Sequence, residues 1–229
     1  MPLRPGGRDG STGIAVAALA AGAIAGALLG GPWLWLHYLC KPLTTIAILS
    51  LVVRAAPLPS PRYRKAVVVG MVFSLAGDVF LMLPRDLFVP GLVAFLLAHL
   101  CFIVAFFPGA TWPARLAATV AYAVIAGANL ALLLPKVPPA LHVPVLAYVC
   151  VLVVMAAFAA ARAWAVRHDL TLAKPARAAA IGGVLFVLSD SLLAWDKFGG
   201  GVPLAPLLVL VSYYLALWFI ARSVGGVGR

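Results

Sequence analysis

The sequence predicts an all-α fold, a polytopic membrane protein built as a bundle of eight transmembrane helices with both termini cytoplasmic. Three observations carry this. Hydrophobic residues make up 65% of the 229-residue chain and charged residues 10%, with a mean hydropathy of +1.11, far from the norm of soluble domains. Apolar runs of about 16 to 23 residues recur along the whole length, enough to cross or nearly cross a hydrocarbon core of about 30 Å at 1.5 Å per residue. The basic residues between these runs fall strongly to one side.

The N-terminal stretch MPLRPGGRDGSTG leads into the first span, 14–29. A short basic start before an apolar run resembles a signal peptide, but further spans follow at once, so an uncleaved helix is expected. Gly22 and Gly26 give that helix a small-xxx-small face for close helix approach. The remaining spans are 33–53, 66–83, 88–107, 112–134, 143–163, 176–195 and 203–221. The breaks carry helix punctuation: PLPSP from Pro57, Pro84, Pro108 to Pro113, PKVPP from Pro135, and GGGVP from Gly199. No stretch is left for a soluble domain, so residues 1–229 read as one transmembrane domain.

Eight spans place the termini and the 2/3, 4/5 and 6/7 loops on one side. That side holds 13 Lys and Arg, while the other holds Arg85, Lys136 and Lys197, with Lys41 inside a span. The positive-inside rule makes the richer side cytoplasmic, as expected for a multi-pass protein of the cell membrane. The formal charge of +11 is thus a topology signal. No basic patch interleaved with aromatics suggests nucleic acid as a partner. Cys40, Cys101 and Cys150 stand singly in apolar runs without metal-ligand spacing, so they read as inert buried thiols, with no cofactor and no metal expected.

All six acids are Asp. Asp78, in VFSLAGDVFLML, and Asp190, in LFVLSDSLLA, stand inside spans, where a charge costs about 2.5 to 3.5 kcal/mol on insertion scales and marks function by default. From the helix rise both sit about 7 to 8 Å inside the outer end of their spans, with Lys41 at about 12 Å and His99 at about 16 Å. Plainer readings exist. The acids could be helix-to-helix hydrogen-bonding groups, Lys41 could snorkel to the interface, and His99 could be a satisfied core residue. Tyr213 and Tyr214 lie too deep for an aromatic belt and read first as packing, as does Asn129. Asp86 and Asp196 sit beside Arg85 and Lys197 as solvated loop charges, and Asp169 lies in a cytoplasmic loop. At a spacing of 112 residues Gly70 aligns with Gly182, Asp78 with Asp190 and Leu81 with Leu193, a weak sign of an ancient four-helix duplication.

KPLTT at Lys41, FSLAGDVFLML at Phe73, FVPGLVAFLLAHLCFIVAF at Phe88, GGVLFVLSDSLLAWDKF at Gly182 and the pair Tyr213–Tyr214 occur in that order. Together they resemble the YhhN-like lysoplasmalogenase family of integral membrane proteins over nearly the whole chain. The resemblance implies hydrolysis of the vinyl ether bond of a lysophospholipid, giving a fatty aldehyde and a glycerophospho headgroup.

The residues suit that chemistry. Protonating the outer alkene carbon of a vinyl ether creates an oxocarbenium ion, which water captures. Glycosidases meet a similar ion with two carboxyl groups, one protonated and one ionised. Asp78 and Asp190 are therefore the expected acid/base pair, with Lys41 and His99 expected to bind phosphate or tune the pair. Ser189, Tyr213 and Tyr214 complete the expected substrate-binding set. A transporter or proton-coupled carrier would use the same buried groups, a different lysolipid could be the substrate, and a metal-dependent hydrolase would need more deep His than His99 supplies.

Overall fold

The structure is a computed structural model that describes the backbone of residues 6–55 and 60–225, with side chains from Gly10 onward. The basic residues Arg4 and Arg229, the side chain of Arg8 and the punctuation at Pro57 lie outside the described residues.

Among the described residues, eight helices are long and apolar enough to cross a membrane. They are α1 (Gly6–Leu29), α2 (Leu34–Arg54), α3 (Pro61–Met82), α4 (Phe88–Phe106), α5 (Trp112–Leu133), α6 (His142–Ala165), α7 (Ala173–Phe198) and α8 (Ala205–Arg222). Their ends follow local chemistry. Ser60 caps α3 by accepting from the Tyr63 amide at 3.1 Å, and Pro61 occupies the first turn, where its missing N–H costs nothing. Single 3-10 turns at Gly31–Trp33, Leu134–Lys136 and Pro139–Leu141 absorb the prolines of the 1/2 and 5/6 connections. The chain between α7 and α8 reverses through Gly200 and Gly201 at φ of 101° and 95°, backbone values that a side chain would strain. Leu204 then takes a left-handed conformation, φ 57°, at the cap of α8.

With short connections, neighbouring helices run antiparallel. The turns after α1, α3, α5 and α7 share one end of the bundle, called here the upper face. Helices α2, α3, α4, α6, α7 and α8 make the core, while α1 packs against α2 and α8 and α5 packs mainly against α6. Between apolar helices in lipid there is little hydrophobic driving force, so packing and hydrogen bonds must hold the bundle. Phe102, Phe106 and Phe186 fill its centre. Close approach supplies the rest: Gly70 and Gly77 of α3 lie under the rings of Phe102 and Phe95 of α4, and Gly182 of α7 lies against Ile220 and the Ala216 carbonyl of α8.

The packing repeats. Helices α2, α3 and α4 adjoin in series as α6, α7 and α8 do, and α8 crosses back onto α2 as α4 crosses onto α6. The faint 112-residue correspondence thus has a counterpart in helix order. Each Asp stands on the third helix of its half, near the fourth helix of the other.

Candidate active site

Asp78 lies on α3, where small residues below it let α4 come close. Lys41 and Thr45, four residues apart and hence on one face of α2, turn toward it. Thr45 Oγ1 and Tyr213 OH from α8 each donate to Asp78 Oδ2 at 2.7 Å, and Lys41 Nζ stands 3.7 Å from Oδ1. Asp78 is 1% exposed and Lys41 8%. Pro42, inside α2, cannot donate to the Tyr38 carbonyl one turn back, which breaks the helix ladder next to Lys41. The result is a sealed ion pair clamping α2, α3 and α8.

Asp190 on α7 has a different setting. Tyr148 OH of α6 donates to Asp190 Oδ2 at 2.6 Å, and His99 Nε2 of α4 lies 2.9 Å from the same hydroxyl and 3.5 Å from the carboxylate. The tyrosine proton is committed to Asp190, so its oxygen accepts from His99 Nε2–H. His99 Nδ1 is buried and makes no hydrogen bond. The order of donation is His99 to Tyr148 to Asp190, a relay ending on the one of these three side chains that is appreciably exposed, Asp190 at 15%.

An aromatic wall parts the two centres. The Phe186 ring lies 4.8 Å from His99 on one side and 5.6 Å from Tyr213 on the other, with Phe95 5.8 Å from Tyr213. Among the described residues no hydrogen bond or ion pair joins the Asp78 network to the Asp190 network.

Asp190 and Tyr148 line a cavity of about 350 Å³, within the range of small-molecule sites. It lies between α4, α5, α6 and α7, and its other walls are almost wholly apolar. Phe88, Leu133 and Phe198 line its upper end, and it extends down to Val184 and Val153. Along α7 that is about 21 Å of rise, with Asp190 about 12 Å below Phe198. Ile125 of α5 and Val184 and Leu188 of α7 line the cavity and are also 68%, 51% and 48% exposed. The cavity therefore has a side opening where α5 and α7 barely touch, at a level that faces lipid. Asn129 and Ser191 supply the other polar lining: Trp195 Nε1 donates to Asn129 Oδ1 at 2.8 Å, and Asn129 Nδ2 to Ser191 Oγ at 3.3 Å.

Of the residues expected at the site, the cavity wall includes Asp190 alone. Lys41 and Tyr213 belong to the Asp78 network, and His99 stands behind Tyr148. Ser189 is turned away, its hydroxyl donating to the Val209 carbonyl of α8 at 3.1 Å. The Tyr214 hydroxyl is buried near Thr44 and takes no part in the cavity wall. The structure adds Tyr148 and Thr45 to the site residues, and Asn129, expected as a packing group, lines the cavity. Tyr148 carries the signal already applied to Tyr213, a phenol too deep for an interfacial belt. Among the described residues, no three His, Cys, Asp or Glu side chains gather where they could hold a metal ion.

A family model, the YhhN family, matches residues 36–224, which include both networks and every wall of the cavity. The chain belongs to the YhhN family. Similar relatives include human lysoplasmalogenase TMEM86B, 33% identical over 165 residues covering 72% of this chain and 66% of the relative. Lysoplasmalogenase TMEM86B of Sus scrofa is 30% identical over 197 residues, 84% of this chain and 76% of its own length. A lysoplasmalogenase of Mycobacterium bovis is 34% identical over 170 residues, 71% and 61% respectively. This YhhN-family chain thus spans somewhat under two thirds of the length of the human and mycobacterial relatives it matches. No solved structure matches it.

Proposed function

We propose that this YhhN-family protein is a membrane-embedded lysoplasmalogenase, hydrolysing the vinyl ether bond of lysoplasmalogen-type lysophospholipids. One observation carries the reading: the apolar, lipid-facing cavity of about 350 Å³ presents one carboxyl group, Asp190, held at the end of a hydrogen-bonded relay. The relatives are named lysoplasmalogenases, which supports a lysoplasmalogen as the substrate.

In this reading the hydrocarbon tail enters between α5 and α7, and the headgroup remains at the upper face. We place that face on the non-cytoplasmic side, following the distribution of basic residues. Asp190, as a carboxylic acid, donates its proton to the outer alkene carbon, R–CH=CH–O–R′, leaving an oxocarbenium ion. The carboxylate so formed lies beside that cation, held by the Tyr148 O–H. It then accepts a proton from water as the water oxygen bonds to the carbon attached to oxygen. The hemiacetal collapses with transfer of its hydroxyl proton to the departing glycerol oxygen, giving R–CH2–CHO and HO–R′ for one water consumed. One residue serves as acid and then base, as microscopic reversibility allows.

Asp78 takes a separate part. With its charge met by Lys41 and its surface sealed, it acts as a positioning residue. Through Tyr213 it fixes the Phe95 and Phe186 rings behind the reacting centre. The expected acid/base pair is thereby divided into a proton-transfer group and a buttress.

The test is mass spectrometry of products after incubating purified protein with a panel of lysolipids. Free fatty aldehyde from the vinyl ether lysophospholipid is expected. Its absence, or fatty acid released from an acyl lysolipid in its place, would overturn the assignment.

A further inference from the structure

The phosphate of such a substrate has no partner in the two side chains first expected to meet it. Lys41 is engaged by Asp78, and His99 is wholly buried with Nε2 on Tyr148. Cations stand instead at the upper end of the cavity, around its Phe88 and Phe198 rings. Lys197 Nζ lies 4.6 Å from the ring centre of Phe88 and 5.9 Å from that of Phe198, and both rings line the cavity. Lys136 Nζ lies 5.8 Å from the ring of Trp195, which is tied to the cavity wall through Asn129. Cation–π contacts of this kind hold an ammonium group over a ring while leaving its donors toward water.

We propose that Lys136 and Lys197 form a phosphodiester clamp that reads the phosphate of a lysophospholipid whose tail fills the cavity. The proposal rests on the hydrolase reading for the identity of the lipid, and its geometry is independent of it. Lys197 is seven residues beyond Asp190 on α7, about 10 Å of rise. In the substrate, seven bonds separate the outer vinyl carbon from phosphorus, which spans about 9 Å when extended with bonds near 1.5 Å. A proton donor at Asp190 and a phosphate at the upper end therefore fit one molecule. Asp86 pairs with Lys197 at 3.8 Å and is 89% exposed. It stands where the amine of a zwitterionic headgroup would meet an anion.

The deciding measurement is calorimetric binding to the full chain in nanodiscs. The first probe is a saturated 1-alkyl lysophospholipid, which has no vinyl ether to cleave. The second is the 1-alkylglycerol lacking phosphate. The unaltered protein should favour the first by about tenfold per lysine, the size of one charge-assisted hydrogen bond. In K136Q/K197Q that preference should vanish while alkylglycerol affinity stays within about twofold, which also reports an intact cavity; K136R/K197R should keep it. An unchanged preference in the Gln variant, or loss of both lipids together, overturns the clamp. So does displacement of the lysophospholipid by inorganic phosphate at equal concentration, which would assign the cations to free phosphate. Because the alkyl probe cannot turn over, the result stands whether or not aldehyde release is found.

Discussion

The division of labour between the two acids is tested most sharply at Asp78. In Asp78→Asn the shape and an acceptor oxygen remain, and what disappears is the charge 3.7 Å from Lys41. With Lys41 8% exposed, its ammonium is left buried and uncompensated, a change that costs about 3 to 5 kcal/mol when one partner of a buried pair is removed. At about 2 to 4 °C per kcal/mol for a chain of this size, the midpoint of thermal unfolding should fall by roughly 6 to 20 °C. Lys41→Met should lose a similar amount. The double variant Lys41→Met with Asp78→Leu should recover most of it, because no charge is then left alone. Unfolding in detergent would be followed alongside aldehyde release well below the transition. A buttress predicts turnover in folded Asp78→Asn reduced by no more than about tenfold, against a loss of about 10² to 10⁴ at Asp190→Asn. If Asp78→Asn kept its unfolding midpoint yet lost turnover as fully as Asp190→Asn, Asp78 would be handling protons and the division would be refuted.

Four further expectations follow from the same geometry. Asp190→Asn should lower turnover by about 10² to 10⁴, the usual worth of a general acid or base, with little change in the unfolding midpoint. Tyr148→Phe removes a hydrogen bond to a carboxylate worth about 1.5 to 3 kcal/mol, so turnover should drop roughly 10- to 100-fold while lysolipid binding persists; single-turnover kinetics separates the two. Gly182→Ala would set a methyl group 2.9 Å from the Ala216 carbonyl and 2.7 Å from Ile220 Cγ1, forcing α7 and α8 apart at about 1 to 3 kcal/mol, visible as a lower midpoint. In the loop before α7, hydrogen bonds from the Thr171 hydroxyl and the amides of Leu172 and Thr171 hold the Asp169 carboxyl below its ordinary pKa. A depressed carboxyl pKa stabilises above its unfolded value and ceases to do so as pH falls through the folded one. The protection of the Thr171 and Leu172 amides against exchange, relative to an unstructured chain at the same pH, should therefore be lost only below the ordinary carboxylate range.

Hydropathy made the eight helices readable because each must satisfy its backbone internally and present apolar side chains to lipid. Rise along the helix also placed Asp78 and Asp190 in one layer. What one dimension could not supply is azimuth. Lys41 and His99 were at a plausible depth for both acids, yet helix rotation gives Lys41 to Asp78 and His99 to Asp190, with Phe95 and Phe186 in between. Ser189 neighbours Asp190 in sequence and points about 100° away around α7, which carries its hydroxyl to α8. Tyr148, a neutral phenol, carries no charge to mark it within its apolar run; its depth, the feature it shares with Tyr213, is the signal that points to it, and its hydroxyl sits at the heart of the relay.

The gap between α5 and α7 changes what concentration means for this protein. A tail that arrives sideways through Ile125, Val184 and Leu188 comes from the bilayer and not from bulk water. Saturation should then follow the mole fraction of substrate among the surrounding lipids. Diluting the same amount of substrate into more membrane would slow the reaction, whereas adding buffer would leave the rate per protein unchanged.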